Sequence, residues 1–365
     1  MSDPTPTKQK SLVLHKESTP YVLEETPVPR PGPQDVLVKI LACALNPVDY
    51  AIVDPPISRF LIQEWPHHPG CDGAGIVVEV GSEVTNRKVG DKVLFQGDMR
   101  ATGATFQQYA IVPSDLTSII PDNITFEQAA SIPLALSTDV LGLYNQSPAP
   151  ENRSLRLKPV WEPEGQTAYA GTPAFIVAGA ASLGQYAIQL AKMAGHHPII
   201  ATASPHNAEL LKSLGATHVL DRHRSNESIL AELPALTGGK PIRFALVAFL
   251  LGGPEPVRLA RDALAPGGLL ATVAPGPERF PEDCVNPGEG KRVGYVFGSP
   301  RLPYNRECGR AMFEHLTGWL EKGLLKPNPV EVLPNGLAGI NDGLARMKAG
   351  KVSGTKLVAR PQETP

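Results

Sequence analysis

The sequence lacks most of the features that would fix a class at sight. Its four cysteines, Cys43, Cys71, Cys284 and Cys308, are scattered without paired spacing. That excludes a disulfide framework and argues against a C-x-x-C metal site. No run approaches the roughly 18 uncharged apolar residues that suggest a membrane-crossing helix, and no leader pattern is evident. The expectation is a cytoplasmic protein. The net charge is only −2, so nothing favours nucleic acid or an anionic membrane surface as a partner. No internal repeat is visible. What remains is a chain of 365 residues with 42% hydrophobic and 19% charged content. This describes a globular protein too long for one ordinary core, with two domains expected.

The most informative stretch runs from Thr172 to Ser204. Ala174 to Ala178 is a short apolar run, as expected of a parallel strand buried on both faces. Gly179, Ala180, Ala181, Ser182, Leu183 and Gly184 then fit a G-x-G-x-x-G turn with Ala181 at the middle glycine. Gln185 to Met193 has a helical pattern, and a second strand begins near Pro198. In that context the turn predicts a dinucleotide site. Gly179 is expected to permit the tight turn, small Ala181 to admit the pyrophosphate, and Gly184 to let the helix pack on the strand. The N–H groups at the helix start would face the phosphates.

Before this stretch the pattern is one of short strands at about ten-residue spacing, which suggests a small barrel. Met1 to Lys10 is polar and expected to fray. Asp35 to Ala44 alternates, with Val36, Val38, Ile40 and Ala42 on one side. Ser147 to Gly171 is rich in Pro, Glu and Gly and is expected to be an exposed insertion. From Thr172 strands and helices alternate, including strands at Phe244–Leu250 and Leu269–Val273. This βαβ rhythm predicts a doubly wound sheet. The stretch from Val293 to Gly298 could form either an edge strand for dimerisation or an ordinary sheet strand, and a monomer is expected.

The NAD-reading acid usually found near the end of the second strand is missing, since Ile200-Ala201-Thr202-Ala203-Ser204 contains none. Its absence removes the repulsion a ribose 2′-phosphate would meet. Ser204, His206 and Asn207 offer hydrogen bonds to phosphate oxygens, and Arg222 after the third strand offers charge. NADPH is therefore the expected cofactor.

At Gly70-Cys71-Asp72-Gly73-Ala74-Gly75, Lys88-Val89-Gly90-Asp91-Lys92-Val93, the Gly179–Gly184 turn and Lys351 to Val358, the sequence resembles the medium-chain dehydrogenase/reductase superfamily. Leu45-Asn46-Pro47-Val48-Asp49 narrows the likeness to the zinc-independent quinone oxidoreductase branch. Ser204-Pro205-His206-Asn207 and Pro133 to Thr138 are similar to fungal trans-acting enoyl reductases that partner polyketide synthases. The resemblance implies an α/β chain with a GroES-like β-barrel domain (1–130 and 310–365), a Rossmann domain (131–309), and a cleft between them. It also implies a small-molecule or carrier-bound acyl substrate. Zinc-dependent relatives carry a Cys where this chain has Asn46 and a Gly-His-Glu segment at Gly70-Cys71-Asp72, so no metal is expected here.

The resemblance suggests three catalytic candidates. Asn46 would hold the nicotinamide ribose or a substrate carbonyl, or merely cap a turn. Thr138, expected to start a helix, would touch the nicotinamide or serve as an N-cap. Many related reductases place a Lys or Tyr five residues after the asparagine, where this chain has Ala51. Alanine can neither donate a proton nor bind an oxyanion. Three readings stay open: Tyr50 has taken the role, water or another residue protonates the enolate, or the protein binds NADPH with altered or no turnover. Lys351 and Ser353 are carried over from the family's C-terminal motif as phosphate-side contacts. The leading expectation is an NADPH-dependent ene reductase on an unsaturated thioester or ketone, with a quinone or carbonyl reductase as the alternative.

Overall fold

The structure is a computed structural model, described for residues 5–248, 253–273 and 281–365. Two compact units divide the chain. One comprises Met1–Leu134, Leu316–Glu321 and Pro327–Pro365, and the other Ala135–His315 and Lys322–Lys326.

In the first unit β1 (Lys8–Val13) and β2 (Val22–Pro27) pair antiparallel along their whole length. The polar start therefore does not fray as far as Lys10. Gln9 is buried within β1 because its side chain is fully used. Its amide donates to Pro27 O and to Gln107 Oε1, and its Oε1 accepts from the Tyr109 N–H at 2.7 Å.

The chain continues through β3 (Asp35–Ala44), α1 (Pro47–Ala51), α2 (Ile57–Leu61), β4 (Asp72–Val80), β5 (Lys92–Gln96), β6 (Tyr109–Pro113), β7 (Thr117–Ile119) and α3 (Phe126–Ala130). β3 is the spine, pairing antiparallel with both β4 and β6. Its alternation predicts one buried face, yet Leu37 and Cys43 on the other face are buried too. Leu37 packs with Val28 and Tyr109 in a second small core.

Next comes α4 (Pro133–Tyr144). It begins at Pro133, whose fixed φ and missing N–H suit a first turn. Thr138 thus lies inside the helix and cannot cap it, contrary to expectation.

The second unit is built from β8 (Ala174–Val177), α5 (Ser182–Met193), β9 (Ile199–Ala203), α6 (Ala208–Leu214), β10 (His218–Asp221), α7 (Asn226–Leu236), β11 (Phe244–Val247), α8 (Glu255–Ala263), β12 (Leu269–Thr272), α9 (Glu282–Val285), β13 (Arg292–Tyr295) and the start of α10 (Arg306–Glu321), whose residues from Leu316 on belong to the first unit. Six parallel strands run in the order β10-β9-β8-β11-β12-β13, the doubly wound sheet expected. Its core gathers Phe175, Ile200, Ala245, Val257 and Leu270 from the sheet and α8. β13 is one of its two edge strands. Residues 249 and 250 of the expected fourth strand lie outside the described residues.

The Ser147–Gly171 insertion holds no helix or strand. It is not simply exposed, however, because Leu155, Leu157 and Val160 are buried. Finally β14 (Val330–Val332), α11 (Ile340–Lys348) and β15 (Lys356–Ala359) return to the first unit, where β15 pairs with β3 at Cys43 and Ala44.

Candidate active site

In the second unit the glycine turn joins β8 to α5. The residue that takes up the left-handed backbone is Ala178, at φ 64°, rather than Gly179. Gly179 is needed for a different reason, since a Cβ there would lie 2.9 Å from the Ala201 Cβ. Its missing side chain lets the turn sit down on β9. Gly184 behaves as expected. A Cβ on it would lie 2.5 Å from Ala178 O and 2.7 Å from Gly179 Cα, so no side chain fits between helix and turn. Ala181 is the N-cap of α5 and supplies no side-chain acceptor to the first-turn N–H groups. That arrangement suits a bound phosphate. Ser182 and Leu183 form the first turn behind it.

At the end of β9 the structure brings Ser204 and Arg222 together. Arg222 Nε donates to Ser204 Oγ at 2.8 Å, and its backbone N–H donates to Ala203 O at 3.0 Å. Arg222 has no acidic partner among the described residues. His206 is exposed, while Asn207 beside it is buried, their side-chain nitrogens 3.2 Å apart. The register also sets Asp221 opposite Ala203. This acid escapes a search confined to the second strand. Its Oδ1 accepts from the His223 N–H at 3.0 Å.

The first unit holds a buried polar cluster that links residues far apart in sequence. Lys356, at the start of β15, donates to Asn46 Oδ1 at 2.6 Å and pairs with Asp72 Oδ2 at 3.0 Å. The Asn46 amide donates to the same Asp72 oxygen at 2.8 Å. Asp72 Oδ1 accepts from the Leu134 N–H at the start of α4, 2.6 Å away. Asp49 Oδ2 accepts from the Asn46 N–H at 2.7 Å. All of these side chains are buried. Burial pushes the Asp49 carboxyl up to about 7, opposed by the Asn46 N–H and reinforced by the Asp72 charge. Both ends of the Asn46 amide are therefore committed inside the cluster.

Lys356 is the residue that sequence reasoning missed. The motif around it drew attention to Lys351 and Ser353, which are both exposed in the connection between α11 and β15.

Tyr50 is placed elsewhere. It lines a pocket of about 250 Å³ with Tyr21, Val53, Asn341, Leu344 and Lys348. Burial raises its phenol pKa. Ala51 ends α1 with nothing to donate.

Thr138 is buried on α4, and its Oγ1 would clash with any side chain on Gly298. Next to it stands Asp139, whose two carboxyl oxygens are buried without a hydrogen-bond partner among the described residues. Burial pushes that carboxyl well above the usual carboxylate range. Thr138 and Asp139 share a narrow crevice with Leu183, Val247, Thr272 and Val296. The Thr272 hydroxyl likewise has no partner among the described residues. The crevice lies at the carboxyl ends of β11 and β12, the end at which open α/β sheets take ligands. The signal for Asp139 was present in the sequence, as the lone charged residue in the run Pro133–Tyr144.

Residues 32–122 match the alcohol dehydrogenase GroES-like domain, and residues 182–312 match the zinc-binding dehydrogenase domain. The chain is 31% identical to a trans-enoyl reductase of Gibberella fujikuroi, over 92% of this chain and 93% of that protein. It is 31% identical to the trans-enoyl reductase caaB of Aspergillus niger, over 97% of each chain. Among solved structures, a quinone oxidoreductase from Pseudomonas syringae pv. tomato superposes with a TM-score of 0.73 at 25% identity, covering 96% of this chain and 99% of the other.

Zinc is implied by one matching domain but does not fit here. Asn46 Oδ1 and Asp72 Oδ2 already hold the Lys356 ammonium. Among the described residues no group of three or more His, Cys, Asp or Glu gathers as a metal site. From domain matches over most of its length, full-length relatives above 30% identity and the doubly wound second unit, the chain belongs to the medium-chain dehydrogenase/reductase superfamily of nicotinamide-dependent oxidoreductases.

Proposed function

We propose that the protein is a zinc-free, NADPH-dependent reductase of activated C=C bonds, acting on an α,β-unsaturated thioester or ketone. The observation that carries this reading is the buried cluster in which Lys356 holds Asn46 and Asp72. A fixed ammonium takes the place of a Lewis acid there, so the substrate must bring its own activation, as a conjugated carbonyl does. The trans-enoyl reductases of Gibberella fujikuroi and Aspergillus niger support the same class. A carrier-bound acyl substrate delivered by a polyketide synthase is part of the same reading.

When bound, the dinucleotide supplies a hydride to the β-carbon. The chain's own residues bind and orient it. The Gly179–Gly184 turn and α5 start receive the pyrophosphate, and Ser204 with Arg222 receives the 2′-phosphate. Neither Ala51 nor the committed Asn46 amide offers a proton, and Asp49 in α1 is engaged by the Asn46 N–H, so on this reading the α-carbon takes its proton from water. Tyr50 faces its own pocket with Tyr21 and Lys348. The missing donor also suits a quinone reductase, since a reduced quinone needs no stereospecific protonation at carbon.

Calorimetry with NADPH and NADH tests the cofactor half. Arg222→Ala is expected to weaken NADPH by about tenfold or more, the worth of a charge-assisted hydrogen bond, and to leave NADH nearly unchanged. An equal loss for both cofactors would refute the 2′-phosphate role.

A further inference from the structure

A pocket of the second unit lies away from the dinucleotide turn. It has a volume of about 550 Å³ and is lined by Asn152 to Arg156 of the insertion and by Val285 to Val293. The strand register fixes its position. Ala174, Phe244, Leu269 and Arg292 align at the amino end of the sheet, whereas the glycine turn follows Val177 at the carboxyl end. The pocket therefore lies at the opposite end of the sheet from the cofactor turn.

Its walls carry an excess of positive charge. Lys291 is neutralised by Glu289 at 2.8 Å. Arg153, Arg156 and Arg292 have no acidic partner among the described residues. Two of the three are held in place by backbone. Arg292 Nη2 donates to Leu155 O at 2.6 Å, and Arg156 Nη2 donates to Ser147 O at 3.0 Å. Each guanidinium spends one of its five N–H donors on a neutral carbonyl and keeps its charge.

The insertion that presents Arg153 and Arg156 is itself fastened. The Leu155 and Leu157 N–H groups donate to Gly142 O and Leu143 O at 2.8 and 2.7 Å. Gly294 makes room for it, since a Cβ there would lie 2.9 Å from Arg153 O. An insertion of low periodicity thus becomes a rigid wall bearing arginines.

We propose that this pocket is a second anion site, independent of the cofactor, that takes a small phosphate-bearing molecule. Pre-ordered guanidinium groups match phosphate oxygens. Three unpaired cations call for a multiply charged anion rather than a single carboxylate. The volume falls within the roughly 300–1,000 Å³ of small-molecule sites.

Titration of the full chain with inorganic pyrophosphate at low salt, repeated with saturating NADPH, tests this. With NADPH filling its own turn, one pyrophosphate should still bind, more weakly as salt rises. Arg153→Glu, at a side chain with no structural hydrogen bond, and Arg156→Ala should each weaken it by about tenfold or more. Arg222→Ala should leave it unchanged, and thermal unfolding of the variants should match the parent. Loss of binding with NADPH present, loss in Arg222→Ala, or no loss in the two pocket variants would each overturn the proposal. Binding of an oligo-aspartate peptide but not of pyrophosphate would overturn it too, by making the surface a protein-docking face.

Discussion

Lys356 and Asn46 are separated by 310 positions and lie 2.6 Å apart. No periodicity or spacing could have joined them, because the contact exists only once β15 pairs with β3. Removing one partner of a buried ion pair leaves the other uncompensated, at a cost of about 3–5 kcal/mol. Lys356→Met should therefore destabilise the protein by roughly that amount in denaturant unfolding. Lys356→Met combined with Asp72→Asn should cost clearly less than the sum of the single changes. Additive losses would mean the three groups do not act as one cluster.

Asp139 makes the opposite prediction at the same scale. Its orphaned carboxyl is a burden, so Asp139→Leu should raise stability by about 1–3 kcal/mol. The pH dependence has a definite sign. Asp49 and Asp139 both titrate higher folded than unfolded, so the native state binds more protons above about pH 4. Their contribution is fully present below that pH and is lost as pH rises, through about 7 for Asp49. Asp139→Leu should flatten this fall by up to about one proton, or 1.4 kcal/mol per pH unit. An unchanged slope across that range would show Asp139 to be ionised in the native state.

Among the elements, the β8–α5 turn was the most legible, because strand, small residues and helix follow one another within the local sequence. Even so, the roles inside it were assigned in part to the wrong residues. Ala178 bears the left-handed backbone and Gly179 bears the close contact with Ala201. A sequence shows that small residues are required there but not which atom crowds which. Gly184→Val should cost at least about 1–3 kcal/mol by overpacking against Ala178 and Gly179, and should abolish dinucleotide binding in the same titration. Retained binding at full affinity would show that the turn is not the phosphate site. The Ser147–Gly171 insertion was hardly legible, since its order comes from carbonyls of α4 and the absent Cβ of Gly294.

For the whole molecule, the fold followed from the sequence because each layer carries its own period, short strands first and βαβ units after. The donor arrangement was legible only as an absence at Ala51. The structure adds that Asn46 is engaged by Lys356 and Asp72 and that Tyr50 faces another pocket. The central claim is a zinc-free reduction of a conjugated C=C by NADPH. Its most direct test is a single assay of purified, chelator-treated protein with NADPH and a short α,β-unsaturated acyl thioester, analysing the product by mass. The account predicts loss of NADPH matched by the saturated thioester, with α-deuteration in heavy water. Cofactor that binds yet is never consumed, or activity that the chelator abolishes, would contradict it.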